Sequence, residues 1–263
     1  MQTRDDFDTN LMLALFIVVC LAAGAGAGIG RATVIALAQK GAKVVAADIN
    51  EDGLKETAAL AQKAVPGANV VTVKADVSTA AGVRAMFAAA TAAFGGLDIV
   101  HNNAGLICGE PLWPDAALEK ISAVIAVNLG GVAMGTQEAI KALRARGGGA
   151  IVNTASVAAL QAMPTDPVYS ATKAGVVRIV ESCAGFASEG IRVNAVLPGM
   201  VDTDMTMKQT GDGTRPAAWL APVLASTVML TPEDIAIAVI ALIEDDTAAG
   251  QAKIVGNVGR DYK

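Results

Sequence analysis

The sequence has few aromatic and few charged residues, which make up 3% and 17% of its 263 positions. Lysine and arginine number 20 against 25 aspartates and glutamates, and no basic run could follow a phosphate backbone, so nucleic-acid binding is not expected. The single histidine, His101, excludes a histidine-rich metal site and is expected to pack in the core. The three cysteines are far apart in sequence, so they predict neither a disulfide framework nor a metal site.

Hydrophobic residues make up 53% of the chain before its 27 glycines are counted, and most of the excess is alanine and valine. This composition favours closely packed helices and buried strands, and it excludes intrinsic disorder. A single α/β domain often reaches about 250 residues. No proline- or serine-rich linker interrupts the chain, so residues 1–263 are interpreted as one domain in which positions 1–12 are unassigned.

The longest apolar run, residues 11–23, holds thirteen residues. That is short of the roughly 18–20 residues that span a bilayer. A secretory signal would carry positive charge in front of such a run, whereas here Arg4 is outnumbered by Asp5, Asp6 and Asp8. Because the run leads directly into a glycine loop, it predicts the first buried β-strand of a cytoplasmic protein that does not enter a membrane.

Short apolar runs alternate with segments of helical length along the rest of the chain. Helices are predicted at residues 31–40, 51–64, 79–94, 115–145, 167–188 and 232–243, and strands at 43–47, 69–74, 97–101, 150–154, 192–196 and 251–255. Such alternation predicts an α/β fold of Rossmann type, a doubly wound parallel sheet of about seven strands with helices on both faces.

The stretch between Pro198 and Thr231 is long for a connection and contains several glycines and prolines. We interpret residues 200–230 as a substrate lid. The candidate pocket residues are mostly apolar, which favours a substrate that is apolar near its reacting carbon. They are Val157, Leu160, Met163, Met200, Met205, Met207 and Trp219.

Glycines cluster between the first strand and the first helix, where backbone N–H groups can approach a pyrophosphate at a helix N-terminus. Gly24, Gly28 and Gly30 fit the spacing GxxxGxG and not the general dinucleotide pattern GxGxxG. Asp48 ends the second strand 18 residues after Gly30, where a carboxylate can accept hydrogen bonds from the adenine ribose and would repel a 2′-phosphate. The pattern favours NAD over NADP, with a turn carboxylate before Asn50 as the alternative for Asp48.

Tyr169 and Lys173 stand at positions i and i+4 after Pro167, so they project from one face of a predicted helix. A phenol has an ordinary pKa near 10 and needs a depression of roughly 3 units, or about 4 kcal/mol, to act as a base at neutral pH. A nearby ammonium together with the positive charge of a nicotinamide is of the required size. Ser156 could hydrogen-bond the same substrate oxygen. Asp166 is expected to cap the helix, with contact to a polar substrate group as the alternative.

Seven separated motifs follow one another along the chain: Gly24-x-x-x-Gly28-Ile29-Gly30, Asp76-Val77, Asn102-Asn103-Ala104-Gly105, Asn128, Ser156, Tyr169-x-x-x-Lys173 and Pro198-Gly199. Over about residues 15–255 this ordered set resembles the short-chain dehydrogenase/reductases. The resemblance implies an oxidoreductase that interconverts a secondary alcohol and a ketone by hydride transfer with NAD. It also implies a homodimer or homotetramer that packs through the helices at 115–145 and 167–188.

The resemblance implies a catalytic tetrad of Asn128, Ser156, Tyr169 and Lys173. In the family the tyrosine exchanges the substrate hydroxyl proton and the serine orients the substrate oxygen. The lysine binds the nicotinamide ribose and lowers the tyrosine pKa. The asparagine holds a water of the proton relay through its backbone, at a distortion in the long helix.

Cofactor binding is expected to involve residues of the glycine loop, the end of the second strand, three later loops and the helix that carries Tyr169. They are Gly24, Gly28, Ile29, Gly30, Asp48, Ile49, Asp76, Val77, Asn103, Tyr169, Lys173, Val201 and Thr203. By the resemblance, Asp76 and Val77 contact the adenine, and Asn103 lies in a turn that also steadies the sheet. Val201 and Thr203 match positions at the nicotinamide amide, and no metal is expected.

Three features depart from the family pattern. The polar Gly-Lys lead-in to strand one is missing, so the boundary of the N-terminal segment is unassigned. Ala23 replaces the usual threonine before the first glycine, which removes a hydroxyl that braces the turn, and weaker cofactor binding is expected. After Gly250 and Gln251 the usual Asp-Gly-Gly is absent and residues 255–259 stand in its place, so the C-terminal rim of the pocket is unassigned.

Two other functions stay open at this point. A 3-oxoacyl-thioester reductase of fatty-acid type shares the tetrad, but that chemistry generally uses NADPH, which disagrees with Asp48. A non-catalytic NAD-binding regulator shares the fold, but it would have no need to keep Ser156, Tyr169 and Lys173 together.

Overall fold

The valine- and alanine-rich runs form seven parallel strands in the computed structural model, which describes residues 18–258. The strands are β1 (Val19–Ala23), β2 (Lys43–Asp48), β3 (Val70–Lys74), β4 (Ile99–Asn102), β5 (Gly149–Thr154), β6 (Ile191–Pro198) and β7 (Ala252–Val255). Their order across the sheet is β3-β2-β1-β4-β5-β6-β7. The predicted doubly wound sheet is confirmed. Of the apolar run at 11–23, residues 11–17 lie outside the described residues, as do the unassigned positions 1–12.

Helices fill the connections between the strands. They are α1 (Gly28–Gln39), α2 (Glu51–Ala64), α3 (Ala80–Phe94), α4 (Leu118–Ile125), α5 (Val132–Arg146), α6 (Pro167–Ser182), α7 (Ala221–Ser226) and α8 (Pro232–Glu244). A six-residue π-helical turn, Ala126–Gly131, joins α4 to α5. The helix predicted at 167–188 ends at Ser182 and continues as a 3-10 segment, Ala184–Glu189.

Both faces of the sheet are covered, which explains why its inner strands read as continuous apolar runs. In β1, Leu21 packs in the core that α3, α5 and α6 complete, whereas its neighbour Cys20 packs on the opposite face with Val34 and Leu37 of α1. All five residues of β1 are buried. A strand exposed on one face would instead alternate apolar with polar residues.

Local hydrogen bonds set the helix boundaries. The side chains of Asn50 and Thr79 accept backbone N–H bonds at the starts of α2 and α3, and Thr231 forms a capping box with Asp234 at the start of α8. Gly147 ends α5 in the left-handed conformation that glycine adopts without strain. These signals act over a few residues, and the predicted boundaries accordingly lie close to the observed ones.

The long helix predicted at 115–145 is α4, the π turn and α5 in succession. Within the described part of the chain, Leu118–Arg146 is the one helical stretch long and apolar enough to cross a membrane by length and composition alone. Its α5 portion packs against β4 and β5 and against α3. It is therefore one of the helices that cover a face of the sheet.

Residues 200–230 leave the sheet after β6 and return before α8. An isolated bridge pairs Val201 with Leu230 at the base of this segment. The side chain of Asn257 clamps both ends: its Oδ1 accepts the Met200 N–H at 2.6 Å, and its Nδ2 donates to Met200 O at 2.8 Å and Val228 O at 2.9 Å. The atypical C-terminus thus supplies the anchor of the predicted lid.

We expect the Asn257→Ala variant to loosen this segment, because three hydrogen bonds at its base are lost and each contributes about 1 kcal/mol. Trypsin should then cleave after the exposed Lys208 at least about tenfold faster, as measured by mass spectrometry of timed digests. The exposed Asn69 provides a matched control, Asn69→Ala. Cleavage of Asn257→Ala at the wild-type rate would show that Asn257 does not hold the segment.

Candidate active site

The glycine loop between β1 and α1 is packed too closely for side chains. Gly24 has a φ of +70°, and a β-carbon there would lie 2.7 Å from the backbone of Ala104. A β-carbon on Gly30 would lie 2.0 Å from Gly24 O. The first turn of α1 holds no acidic residue, so its N–H groups and dipole face the loop without a competing negative charge. The cradle therefore fits a pyrophosphate.

Other hydrogen bonds hold the glycine loop, although Ala23 lacks the hydroxyl that a threonine would provide. Asn103 Nδ2 donates to Gly24 O at 3.3 Å, and the Arg31 guanidinium donates to Gly26 O at 2.6 Å. Arg31 is itself held by Thr57 Oγ1 at 3.1 Å. The sequence interpretation missed Arg31, whose only signal was its place directly after the last loop glycine.

Asp48 lies at the end of β2 and faces the same loop. Its Oδ2 accepts the Gly26 N–H at 2.8 Å and its Oδ1 accepts the Asn50 N–H at 2.8 Å. The bond to Asn50 is the one expected of a turn carboxylate, the alternative role of Asp48. Each carboxylate oxygen has more than one acceptor site, so these bonds leave capacity for ribose hydroxyls.

The loop opens into a cavity of about 850 Å³ that runs along the carboxyl edge of the sheet. Twelve of the thirteen predicted cofactor residues line it: Gly24, Gly28, Ile29, Asp48, Ile49, Asp76, Val77, Asn103, Tyr169, Lys173, Val201 and Thr203. Gly30 does not line the cavity, because its place is against the Gly24 carbonyl. The donors, carboxylates and apolar side chains of this wall fit a dinucleotide.

Tyr169 and Lys173 project from the first turns of α6 into this cavity. The Lys173 ammonium is buried and donates to Thr154 O at 2.9 Å, and it lies 5.6 Å from the centre of the Tyr169 ring. The Ser156 hydroxyl is near enough to the Tyr169 phenol to lower its pKa, and both residues line the cavity. One wall therefore carries a phenol, a hydroxyl and an ammonium within reach of one small molecule.

Burial acts on both titratable groups of this pair. It raises the pKa of Tyr169 above the ordinary phenol value, against a smaller lowering by the Ser156 hydrogen bond. It lowers the pKa of Lys173 to about 8. In the protein alone burial and the Asp166 charge therefore keep the pKa of Tyr169 above its ordinary value. The depression predicted from the sequence also required the positive charge of a nicotinamide.

Asn128 lies in the π turn Ala126–Gly131, where the long helix is distorted as predicted. The residue is fully buried and does not line the cavity. Its Oδ1 accepts the Leu106 N–H at 2.7 Å and its Nδ2 donates to Leu106 O at 2.8 Å. A β-carbon on Gly105 would lie 3.6 Å from Asn128 Oδ1 and 3.5 Å from Lys173 Nζ, so both side chains converge on the loop after β4.

His101 is fully buried in β4, as expected for a packed histidine. Its Nε2 lies 2.9 Å from Thr154 Oγ1, which donates to Asn103 Oδ1 at 3.1 Å. Because Thr154 donates to Asn103, the His101 Nε2 carries the proton that Thr154 accepts. Burial lowers the pKa of His101 to about 3, so the imidazole is neutral. Thr154, which the motif search missed, thus joins β4 to the Lys173 ammonium.

The substrate end of the cavity is lined by Val157, Met163, Met200, Met205 and Trp219, as predicted. The predictions for Leu160 and Met207 are wrong. Leu160 is 58% exposed and neither residue lines the cavity. Leu106 and Ile107 add apolar wall, and Gln161 and Gln209 add amides. Leu106, Ile107 and Gln161 lie in loops without a motif, and Gln209 ends the π-helical turn Met205–Gln209, so no sequence signal marked any of the four.

Among residues 18–258 no group of three or more histidine, cysteine, aspartate or glutamate side chains is arranged to hold a metal ion. Cys20, Cys108 and Cys183 are free thiols.

Comparison with known proteins agrees with this geometry. Residues 18–213 match the family model of the short chain dehydrogenases. Levodione reductase of Leifsonia aquatica is 37% identical over 69% of each chain, and cyclohexanol dehydrogenase of Acinetobacter sp. (strain SE19) is 34% identical over 71% of this chain and 74% of its own. A crystal structure of levodione reductase superposes with a TM-score of 0.83 and 32% identity, covering 90% of this chain and 95% of that one.

A second solved structure is a 3-ketoacyl-(acyl-carrier-protein) reductase from Brucella melitensis, complexed with NADH. It superposes with a TM-score of 0.79 and 29% identity, covering 90% of this chain and 96% of that one. The fold, the cavity and these relatives lead to one conclusion: the chain belongs to the short-chain dehydrogenase/reductase family, whose members are oxidoreductases acting on CH–OH groups.

Proposed function

We propose that this enzyme interconverts an apolar secondary alcohol and its ketone with NAD rather than NADP, using Tyr169, Ser156, Lys173 and Asn128. The observation that carries the proposal is the convergence of the Tyr169 phenol, the Ser156 hydroxyl and the buried Lys173 ammonium on one wall of the cavity. The glycine cradle and Asp48 lie in the same cavity.

The preference for NAD rests on Asp48. Its carboxylate borders the cavity beside the glycine loop, where it would accept hydrogen bonds from the ribose and repel a 2′-phosphate. Arg31 is the cation nearest the loop along the chain, but it donates to Gly26 O, Thr57 Oγ1 and Glu56. Its guanidinium is therefore already engaged and does not offset the Asp48 charge for a phosphate.

When bound, NAD supplies the hydride acceptor and a positive charge beside the phenol. Tyr169 in its phenolate form takes the hydroxyl proton of the alcohol, and returns it in the reduction. Ser156 donates a hydrogen bond to the same substrate oxygen as negative charge develops there. Lys173, held by Thr154 O, favours the phenolate electrostatically. Asn128 keeps the loop at Leu106 in place around these groups.

The walls near the tetrad favour an apolar substrate. Val157, Met163, Met205, Trp219 and Ile107 line the cavity with hydrocarbon and aromatic surface. A relative is named for cyclohexanol, a secondary alcohol on a hydrocarbon ring. We therefore place ring alcohols of that size first among the substrates to be tested.

A 3-oxoacyl-thioester reductase is the second candidate, because the Brucella reductase is a structural neighbour and was crystallised with NADH. Use of NADH therefore does not by itself exclude that class. Segment 200–230 carries Asp202, Asp204 and Asp212 against Lys208 and Arg215, and this excess of negative charge disfavours an acidic carrier protein. Acetoacetyl-CoA in the same assay as cyclohexanol separates the two candidates.

We also propose a cytoplasmic homodimer or homotetramer. Support comes from apolar side chains that face outward on the long helix, where Leu118 is 74% and Ile125 is 45% exposed. The cytoplasmic location is supported by the negative charge before the apolar run at 11–23, because a secretory signal carries positive charge there.

The Tyr169→Phe variant should lose at least about 100-fold in turnover of a panel of secondary alcohols followed at the nicotinamide absorbance band, because the proton acceptor is removed. Its NADH affinity, measured by fluorescence titration, should stay near wild type because the ring remains in place. The chain has one other tyrosine, and Tyr262→Phe is the matched control. Retained turnover in Tyr169→Phe would refute the acid–base role.

The Asp48→Asn variant keeps the side-chain shape and removes the charge. We expect the ratio of NADPH to NADH dissociation constants to fall by about tenfold or more, because a charged hydrogen bond is lost and a repulsion is relieved. Asp52→Asn, on the exposed first turn of α2, is the control. Equal affinity of the wild-type protein for the two cofactors would contradict the role of Asp48.

Light scattering should give the mass of a dimer or a tetramer. A double variant with Leu118→Glu and Ile125→Glu should shift that mass towards the monomer, because charge is placed on the apolar face. Val71→Glu, on the exposed side of edge strand β3, is the control and should leave the mass unchanged. A monomeric wild-type protein would rule out the assembly.

A further inference from the structure

Asp166, directly before α6, is a buried carboxylate outside the predicted tetrad, and it is only 3% exposed. Its Oδ1 accepts the Tyr169 N–H at 2.9 Å, which is an ordinary helix cap. Its Oδ2 accepts the N–H of Cys108 at 2.8 Å, 58 residues away along the chain. A cap needs only the first of these bonds, so the second has a separate role.

The second bond ends on the loop after β4, which forms part of the cavity wall. Asn128 holds this loop at Leu106 through two hydrogen bonds, and Asp166 holds it at Cys108 through one. Ile107 stands between the two anchored residues and lines the cavity. Its position relative to Tyr169 therefore depends on both anchors.

The anchored loop also supports segment 200–230. Gly109 has a φ of +68°, and a β-carbon there would lie 2.4 Å from Gln209 O. Glu110 N donates to Gly211 O at 3.2 Å. A shift of the loop at Cys108 would therefore move the segment that covers the substrate end of the cavity.

The charge of Asp166 acts on the phenol next to it. In the described part of the chain no lysine or arginine forms an ion pair with Asp166, and Lys120 of the neighbouring α4 donates to Glu110 O instead. The carboxylate charge adds to the burial that raises the pKa of Tyr169. The titratable, charged and hydroxyl groups that face this pair from the surrounding elements are Lys173, Ser156, Cys108 and Lys120.

We propose that Asp166 is a positioning residue, which joins the Cys108 end of the substrate wall to the helical turn that carries Tyr169. It sets the spacing between Ile107 and the phenol, and its charge biases the phenol towards the protonated form. The inference rests on the proposed function for its kinetic consequences, but the link itself can be tested without turnover.

The central test is Asp166→Ser, since a serine hydroxyl can still cap the Tyr169 N–H but is too short to reach Cys108. KM for the alcohol should rise about five- to tenfold, the net effect of one ordinary intramolecular hydrogen bond, with a smaller change in kcat. NADH affinity should stay near wild type. Asp115→Ser, at an exposed aspartate in the chain leading to α4, is the matched control. Wild-type KM in Asp166→Ser would overturn the proposal.

Asp166→Asn provides a second measurement that does not need substrate. The variant keeps the side-chain volume and removes the charge, so Tyr169 should ionise at lower pH than in the wild type. Tyrosinate absorbance measured against the same protein with Tyr169→Phe isolates this phenol from Tyr262. An unchanged titration would overturn the electrostatic role. If the titration shifts but the wild-type protein turns over no alcohol, the electrostatic role of Asp166 is supported and the proposed function is rejected.

Discussion

Parallel pairing of β1 with β4 and of β4 with β5 is the constraint on which the site depends. Because these strands point the same way, the glycine loop, Asn103 and Ser156 all emerge at one edge of the sheet. The chain runs from β1 to one side for β2 and β3 and to the other for β4 to β7, so the loops part at this edge and leave a crevice. The cavity is a consequence of that order of strands.

Burial in this packing then acts on the pKa values of the two groups that we propose as catalytic. It raises the pKa of the Tyr169 phenol and lowers that of Lys173 to about 8, so in the protein alone the phenol stays protonated at neutral pH while most of the lysine keeps its charge. The positive charge of a nicotinamide ring in the cavity would favour the phenolate. The acid–base role that we propose for Tyr169 thus couples cofactor binding to proton transfer.

Much of the architecture could be predicted because its signals are local. Apolar runs of strand length predicted the buried strands, and caps such as Asn50 and Thr231 act within a few residues. Helical spacing placed Tyr169 and Lys173 on one face, and their combination with Ser156 and the glycine loop marked the pair as a candidate site. The pocket was harder to predict: Leu160 points to solvent and Gln161 borders the cavity, although both lie in the same short loop. A loop has no periodic pattern from which its inward-facing residues can be predicted.

The sequence by itself determined the class of fold, the glycine cradle and the chemical types of the reacting groups, since each depends on residues that are near one another or in a family order. Only the tertiary structure decided that Asp166 reaches Cys108, that Asn257 closes residues 200–230 and that Thr154 holds Lys173. The partners in these contacts are 58, 57 and 19 residues apart. Their meeting depends on the path of whole loops across the sheet edge, which no short pattern encodes.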